Sequence, residues 1–316
     1  MGKPLGILVA VALAFALAAC SDDPVITTVP TGASATASTG SAAFPVTVTG
    51  TKGDVTIEAR PERIVSLSPT ATEDLFAIGA GDQVIAVDDQ SNYPADAPTT
   101  DLSGFEPNVE AIAGYEPDLV VFATEPGDLG SSLEGLGITA LQLDAAANLD
   151  VAYEQIEQLG AATGHADESA ALVEQMRSDI QVLVDEADRA TGASFYYELD
   201  DTFYSVTSKT FIGQLLRMLG LGNIADEVGR GSGGYPQLSA EYIIESDPDL
   251  IFLADTKCCG QSAETVAKRP GWAGLTAVGD GAVVPLDDDV ASRWGPRVVE
   301  LLEQISDAAE AEANAA

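Results

Sequence analysis

Basic residues are scarce in this chain of 316 residues: 14 Lys plus Arg face 50 Asp plus Glu, a formal charge of −36. A protein that grips nucleic acid needs a basic stripe to release counterions from the phosphates. Nucleic acid is therefore excluded as a partner, and an anionic membrane surface is a poor one. Histidine is scarcer still, with one residue, and cysteine numbers three. A protein-built zinc or iron centre draws several His or Cys ligands from short spacings. His165 has no such neighbours, so neither a metal site nor a resident cofactor is expected. Long apolar runs are absent beyond the extreme N-terminus, which rules out a polytopic membrane protein. Yet 46% of the residues are hydrophobic, and at roughly 150 residues per domain the length suggests two folded bodies.

The N-terminus sets the compartment. Lys3 precedes an apolar stretch, Leu5 to Leu17, too short to span a bilayer comfortably, and Leu17-Ala18-Ala19-Cys20 follows. This layout is that of a secretory signal. It resembles a bacterial lipoprotein signal over residues 1–20, and the resemblance implies a lipidated Cys20 and extracytoplasmic anchoring to the cell membrane; the alternative is an ordinary signal peptide with an incidental cysteine. Residues 21–45, rich in Thr, Ser, Ala, Gly and Pro, lack the apolar surface to fold and read as a disordered tether.

Beyond the tether the chain repeats itself. Glu110-Ala-Ile-Ala-Gly-Tyr-Glu-Pro117-Asp118-Leu119-Val-Val-Phe-Ala123 aligns without gaps on Glu241-Tyr-Ile-Ile-Glu-Ser-Asp-Pro248-Asp249-Leu250-Ile-Phe-Leu-Ala254. In each copy a helix starting near the Glu must stop ahead of Pro, and the apolar run after it reads as a buried parallel strand. A weaker echo links residues 72–81 with 214–222, each ending on Gly-x-Gly that can cap a helix. With strands at 63–67, 84–88 and 139–143 in one half and at 194–199 and 283–286 in the other, the chain reads as two α/β lobes of Rossmann-like type. The lobes are expected at 46–147 and 192–311, with connecting helices at 148–191 and a frayed tail at 312–316. Within the connection, Asp167 to Ala190 carries apolar positions at helical spacing, with Asp167 as its cap and Thr191-Gly192 as its end. Such a helix, about 35 Å long, joins the lobes as one rigid strut, or else packs within a single lobe.

A cleft between two lobes is the usual place for a small-molecule site. Turn-rich segments at the carboxyl ends of the expected strands carry Tyr93, Phe105, Tyr204, Tyr235, Asp289, Arg293 and Trp294. Flat rings on loops suit a broad, chelate-like ligand, and Arg293 with Lys209 would supply cations. Each ring taken alone is equally a plug for a loop. The motifs, in order, are RIVSLSPTATEDLFAIGAGDQVIAV, NYP, NVEAI with PDLV, TSKTFI, YPQLSAE with PDL, and VPLDDD followed by SRWGPR. Over residues 61–305 this order resembles the substrate-binding proteins of ABC importers for cobalamin, ferric siderophores and haem, the class with a single-helix hinge.

That resemblance implies a non-enzymatic, monomeric receptor that captures a metal chelate and delivers it to a permease dimer. Matched to the cobalamin-binding member, Tyr93, Tyr204, Tyr235, Asp289 and Arg293 fall at ligand contacts, whereas Gly104, with Phe105 beside it, stands at an aromatic position. The resemblance also places Glu110 and Glu241 at permease docking, one carboxylate on each lobe; helix starts favour acids in any case. Two rival readings are an extracytoplasmic hydrolase using Asp289 and Arg293, for which no nucleophile–base pair is evident, and a membrane-tethered sensor on the same fold.

Three further signals carry less. Gly229 to Gly234 spells G-x-G-x-x-G, but Tyr235-Pro236 follows where nucleotide binding requires a helix. His165 reads as a surface-loop residue. Cys258-Cys259 is left as either two loop thiols or a strained vicinal disulfide, since adjacent Cα atoms lie about 3.8 Å apart, below the usual ~4.4 Å floor.

Overall fold

The computed structural model describes residues 44–187 and 192–315, together with Gly2. The expected signal with Cys20, the tether as far as residue 43, and the expected end of the long helix at 188–191 lie outside the described residues. A hairpin comes first, β1 (Val46–Gly50) against β2 (Gly53–Ile57). A parallel sheet follows from β3 (Ile64–Leu67), β4 (Val84–Asp88), β5 (Thr99–Leu102), β6 (Leu119–Phe122) and β7 (Thr139–Gln142), in the order β5-β4-β3-β6-β7. Helices α1 (Pro69–Ala77), α2 (Val109–Ala113) and α3 (Leu129–Gly135) serve this sheet. After α4 (Leu149–Thr163) and α5 (Ala166–Glu186), a second parallel sheet is built from β8 (Ser194–Glu198), β9 (Gly222–Asn223), β10 (Leu250–Leu253) and β11 (Val283–Pro285), in the order β11-β10-β8-β9. Its helices are α6 (Phe211–Met218), α7 (Ala240–Ser246), α8 (Ala263–Ala267), α9 (Thr276–Gly279) and α10 (Asp288–Ala291), and α11 (Val298–Ala315) closes the chain.

Setting β3, β4, β6 and β7 beside β8, β9, β10 and β11 gives one spatial order, second-first-third-fourth, in both lobes. The repetition in the sequence therefore marks a repeated fold, and local chemistry shows why. Gly79 and Gly220, the first glycines of the two Gly-x-Gly pairs, follow α1 and α6 in the left-handed region, at φ 85° and 77°. The Ala80 and Leu221 amides then bond back to Leu75 and Leu216. This is the six-to-one bond that closes a helix at glycine. The Pro-Asp-Leu motif does the same work twice. Asp118 accepts hydrogen bonds from the Glu62 and Arg63 amides at the entry of β3. Asp249 accepts from the Ser194 amide and hydroxyl at the entry of β8. Each aspartate thus ties the third strand of its lobe to the first.

Both sheets are buried on both faces, as parallel sheets are. Val65, Val120 and Phe122 face α2 and α3, while Tyr196, Ile251 and Leu253 pack with Val266 and Trp272. The two inner faces share one continuous apolar cluster that runs from Ile64 and Val121 through Ile156, Met176 and Ile180 to Phe195, Phe252 and Leu302. Helix α5 is therefore not a free strut. It packs against α4 on one side and α11 on the other, and at ~1.5 Å per residue its 21 residues rise about 31 Å between the lobes.

Two local expectations change. Gly164, at φ 80°, ends α4 and turns the chain so that His165, not Asp167, stands at the N-cap of α5; Asp167 and Glu168 fall in its first turn, where acids suit the helix dipole. His165 is no surface-loop residue, because its half-buried ring lies against the Arg60 guanidinium and the Gln83 amide at 2.9 and 3.0 Å. Burial first, and the Arg60 charge second, hold its pKa below the usual imidazole value. The expected frayed tail is also absent from the described residues: α11 continues to Ala315, as an Ala/Glu run of high helix propensity can.

Candidate ligand-binding cleft

A cavity of about 300 Å³ opens at the carboxyl edge of the first sheet, the edge where open α/β sheets bind ligands. Leu67 ends β3 and Ser68 to Thr70 follow it, Asp88 ends β4 with Gln90 beyond it, Gly104 and Phe105 follow β5, and Ala123 and Thr124 follow β6. The opposite wall belongs to the second lobe: Asp289, Ser292, Arg293 and Trp294. The loop after β5 comes in so close that a Cβ at Gly104 would lie 2.7 Å from the Leu67 carbonyl oxygen. An aromatic at this position would have to displace backbone, so the ring is supplied by Phe105 beside it, 70% exposed.

Asp88, in the cavity lining, ends a buried polar chain. Thr72 Oγ1 bridges the Ser66 and Ser91 hydroxyls, each at 2.9 Å, and Ser91 donates to Asp88 Oδ2 at 3.2 Å. Burial raises the Asp88 pKa although the Gln90 and Ser91 amides donate to its carboxylate. Satisfied networks of this kind fix geometry.

Across the cleft the lobes are clasped by charge. Glu73, on α1 and buried, receives Arg293 Nη1 at 2.6 Å and Arg297 Nε at 2.9 Å. The other fork of Arg293 donates to the Gln90 carbonyl at 3.0 Å and to Asn92 Oδ1 at 2.9 Å. Asn92 donates in turn to Asp289 Oδ2 at 2.9 Å, and Lys257 Nζ reaches Asp287 and Asp289 at 2.6 Å each. Burial opposes the Asp289 charge, but the bonds from Lys257 and Asn92 and the Arg293 charge outweigh it and hold the carboxyl below the usual range, ionised. Trp294 is positioned by its indole N–H, which donates to Gln155 of α4 at 2.8 Å.

The structure thus brings together Phe105, Asp289, Arg293 and Trp294 in one cavity wall. Tyr93, Tyr204 and Tyr235 are 44%, 40% and 52% exposed and lie outside that wall. The Tyr93 ring carries the Arg297 guanidinium 4.2 Å from its centroid. Tyr204 and Tyr235 occupy two segments that pair antiparallel beyond β8, where Tyr204 bridges Gln237. Glu110 and Glu241 are exposed in the first turns of α2 and α7. Glu73, unsuspected in the sequence, is the hub of the clasp. Its only signal is a pair of acids, Glu73-Asp74, on an otherwise buried helix face. The neighbouring Asp74 is buried with an unpartnered Oδ1, and burial, then Glu73, push its pKa well above the carboxylate range. The hydrolase reading loses its acids, because Asp288 caps the Thr256, Lys257 and Cys258 amides and Asp289 is held by Lys257 and Asn92.

Under the second lobe's carboxyl edge lies a buried acid pair. Glu198 is held by the Arg269 guanidinium, with Nη1 2.6 Å from Oε2, and Arg269 lies 4.6 Å from the Trp272 ring centroid. Asp255, fully buried, has no hydrogen-bond donor among the described residues, and desolvation, followed by the Glu198 charge, pushes its pKa up to about 7. A carboxyl whose folded pKa exceeds its unfolded value stabilises below the unfolded pKa and loses that contribution as pH rises through the folded one. Stability is expected to fall by roughly 1–3 kcal/mol between pH 5 and 8, and Asp255→Asn to flatten the fall. Urea midpoints of both proteins across that range check it; parallel curves would refute the assignment.

Comparison with known proteins follows the geometry. The family model described as periplasmic binding protein matches residues 64–290. An ABC transporter substrate-binding lipoprotein of Bacillus subtilis, YvrC, is 31% identical over 275 residues, covering 84% of this chain and 85% of the relative. A cobalamin-binding protein of Halobacterium salinarum is 32% identical over 275 residues, covering 84% and 74%. Among solved structures, a periplasmic haem-binding protein of a Roseiflexus species, RhuT in apo form, superposes with a TM-score of 0.68 at 25% identity, covering 78% of this chain and 99% of that one. The chain belongs to the periplasmic binding protein family, as a substrate-binding component of an ABC transporter and not an enzyme.

Proposed function

We propose that the chain is the lipid-anchored receptor of a metal-chelate importer, held to the outer face of the cell membrane through Cys20, and that its cargo is a corrinoid or a similarly neutral chelate. The observation that carries the choice of cargo is the state of Arg293. Among the described residues lining the cavity it is the cation, and its guanidinium is already engaged by Glu73, Gln90 and Asn92. Asp289 beside it is ionised. A ligand with carboxylates, such as haem, would meet a negative wall and an arginine whose Nη1 and Nη2 already serve Glu73, Gln90 and Asn92, and burying an unpaired carboxylate is costly. Neutral amide groups at the edge of a corrin can donate to Asp289 and meet the hydroxyls of Ser68, Thr70, Thr124 and Ser292.

The cavity is at the small end of the ~300–1,000 Å³ range of ligand sites, so a macrocycle would overhang it. Phe105 in the wall and Tyr93, Tyr204 and Tyr235 outside it are then platforms for the overhanging part. Glu110 and Glu241 sit at equivalent points of two repeated lobes, which suits a two-fold permease. A single chain offers both docking points, so the receptor acts as a monomer.

Titration with cyanocobalamin, haemin and ferric siderophores, followed by tryptophan fluorescence, tests the cargo. Trp294 lines the cavity, while Trp272 is fully buried elsewhere in the second lobe and serves as background. Cyanocobalamin is expected to bind at least about tenfold, or ~1.4 kcal/mol, more tightly than haemin. The reverse order would remove the corrinoid assignment, and tight binding of a small polar metabolite with no response to any chelate would remove the chelate class.

A further inference from the structure

Cys258 and Cys259 lie on the turn between β10 and α8, exposed, as free thiols. The neighbouring Cys259 thiol, with burial second, pushes the Cys258 thiol up to about 12. The turn is tightly held. The Thr256, Lys257 and Cys258 amides donate to the Asp288 carboxylate at 2.8, 2.9 and 2.9 Å. The Cys259 amide donates to the Asp255 carbonyl at 3.2 Å. From the same turn Lys257 clamps Asp287 and Asp289, and Asp289 both lines the cavity and receives Asn92 from the other lobe. Two adjacent, accessible thiols therefore sit one residue from the lysine that braces the cleft. Neither the fold nor ligand capture requires a thiol at either position.

We propose that Cys258-Cys259 is a redox-modification site, closed to a vicinal disulfide by an extracytoplasmic disulfide donor, and that closure releases the turn from Asp288 and Asp255. One cysteine thiolate attacks a sulfur of the donor X–S–S–X and expels X–S⁻. The second cysteine thiolate attacks the resulting mixed disulfide at the cysteine sulfur and expels the second X–S⁻. The two cysteine protons end on the two leaving thiols, and two electrons pass from the pair to the donor. Oxidising surroundings outside the cytoplasm supply such donors. Because adjacent Cα atoms lie closer than an unstrained disulfide allows, at about 3.8 Å against ~4.4 Å, the eight-membered ring closes only by reorienting the Cys258–Cys259 peptide. That peptide carries the Cys259 amide away from Asp255 and pulls the neighbouring amides off Asp288, so Lys257 loses its anchorage beside Asp289.

The test treats the full chain with oxidised glutathione and follows intact mass, peptide maps that separate the pair from Cys20, and amide hydrogen exchange. The expected product is a monomer lighter by two hydrogen atoms, with no retained glutathione and with Cys258 and Cys259 protected together from iodoacetamide. Exchange of the 256–259 amides should rise about tenfold or more and return to its starting rate on adding dithiothreitol. Cys259→Ser should stop at a glutathione adduct on Cys258. A retained adduct on Cys258 or Cys259 of the unsubstituted chain, a disulfide-linked dimer through this pair, or unchanged exchange in the oxidised protein would each overturn the proposal. None of these readouts depends on which chelate the cleft takes.

Discussion

Glu73→Ala is expected to lower the stability of the folded body by about 3–5 kcal/mol, the range for removing one partner from a buried ion pair. Glu73 has a relative exposure of 3% and Arg293 one of 6%, so both ends of the pair are shielded from bulk solvent. Among the described residues Arg297 would keep the Tyr93 ring, and Arg293 would keep Gln90, Asn92 and the longer 3.4 Å contact to Asp289. For a protein of this size the loss corresponds to a drop in Tm of roughly 10 °C. A second comparison separates the clasp from the pocket. Replacing Glu73, Arg293 and Arg297 together by apolar residues of similar volume should recover most of the stability, since such swaps are often neutral. Chelate affinity should stay depressed, because Arg293 forms part of the cavity wall. A Glu73→Ala protein that melts within a degree or two of the parent would show that the clasp contributes little.

The second large effect concerns delivery. Glu110→Lys combined with Glu241→Lys is expected to reduce vesicle uptake through the cognate permease by about tenfold or more, while chelate affinity stays within about twofold, because rim charges act on encounter and registry. Each glutamate follows a capping Asn108 or Ser239 whose side chain receives the third amide of its helix. Those caps remain in the variant, and the dipole penalty of about 0.3–1 kcal/mol per site is too small to unfold either lobe. Single substitutions should fall between the parent and the double variant. Uptake that persists in the double variant, or affinity lost along with uptake, would remove docking from these positions.

Much of this architecture was legible because it is written twice. Pro117 and Pro248 keep two helices from running on into the next segment, α2 closing at Ala113 and α7 at Ser246, and the Asp-Leu that follows each sets up a buried strand whose aspartate ties it to the first strand of its lobe. The hairpin β1–β2 is not legible in the sequence although Val46-Thr-Val-Thr alternates at a period of two, because a two-stranded ribbon is stable only when something buries one face; here α4 does so. The short strand β5 and the four-residue α10 carry no periodic signal at all. In the cleft, Phe105, Asp289, Arg293 and Trp294 were marked by their place after strands, but their chemistry was not. Arg293 read as a free cation for the ligand. Its engagement by Glu73 joins residues 220 positions apart in the chain, a pairing no local pattern reports.

The amino-acid sequence by itself determined the two repeated lobes, the carboxyl edges where a ligand can sit, and the partners excluded by an acid-rich composition, because propensity, glycine and proline sterics and net charge act over a few residues or over none in particular. Tertiary structure alone decided which charges remain available. Burying Glu73 between two arginines and Asp255 against Glu198, and setting Asp289 beside Lys257, depends on which distant segments are packed together, and that neighbourhood decides whether a charged group serves the ligand or the fold.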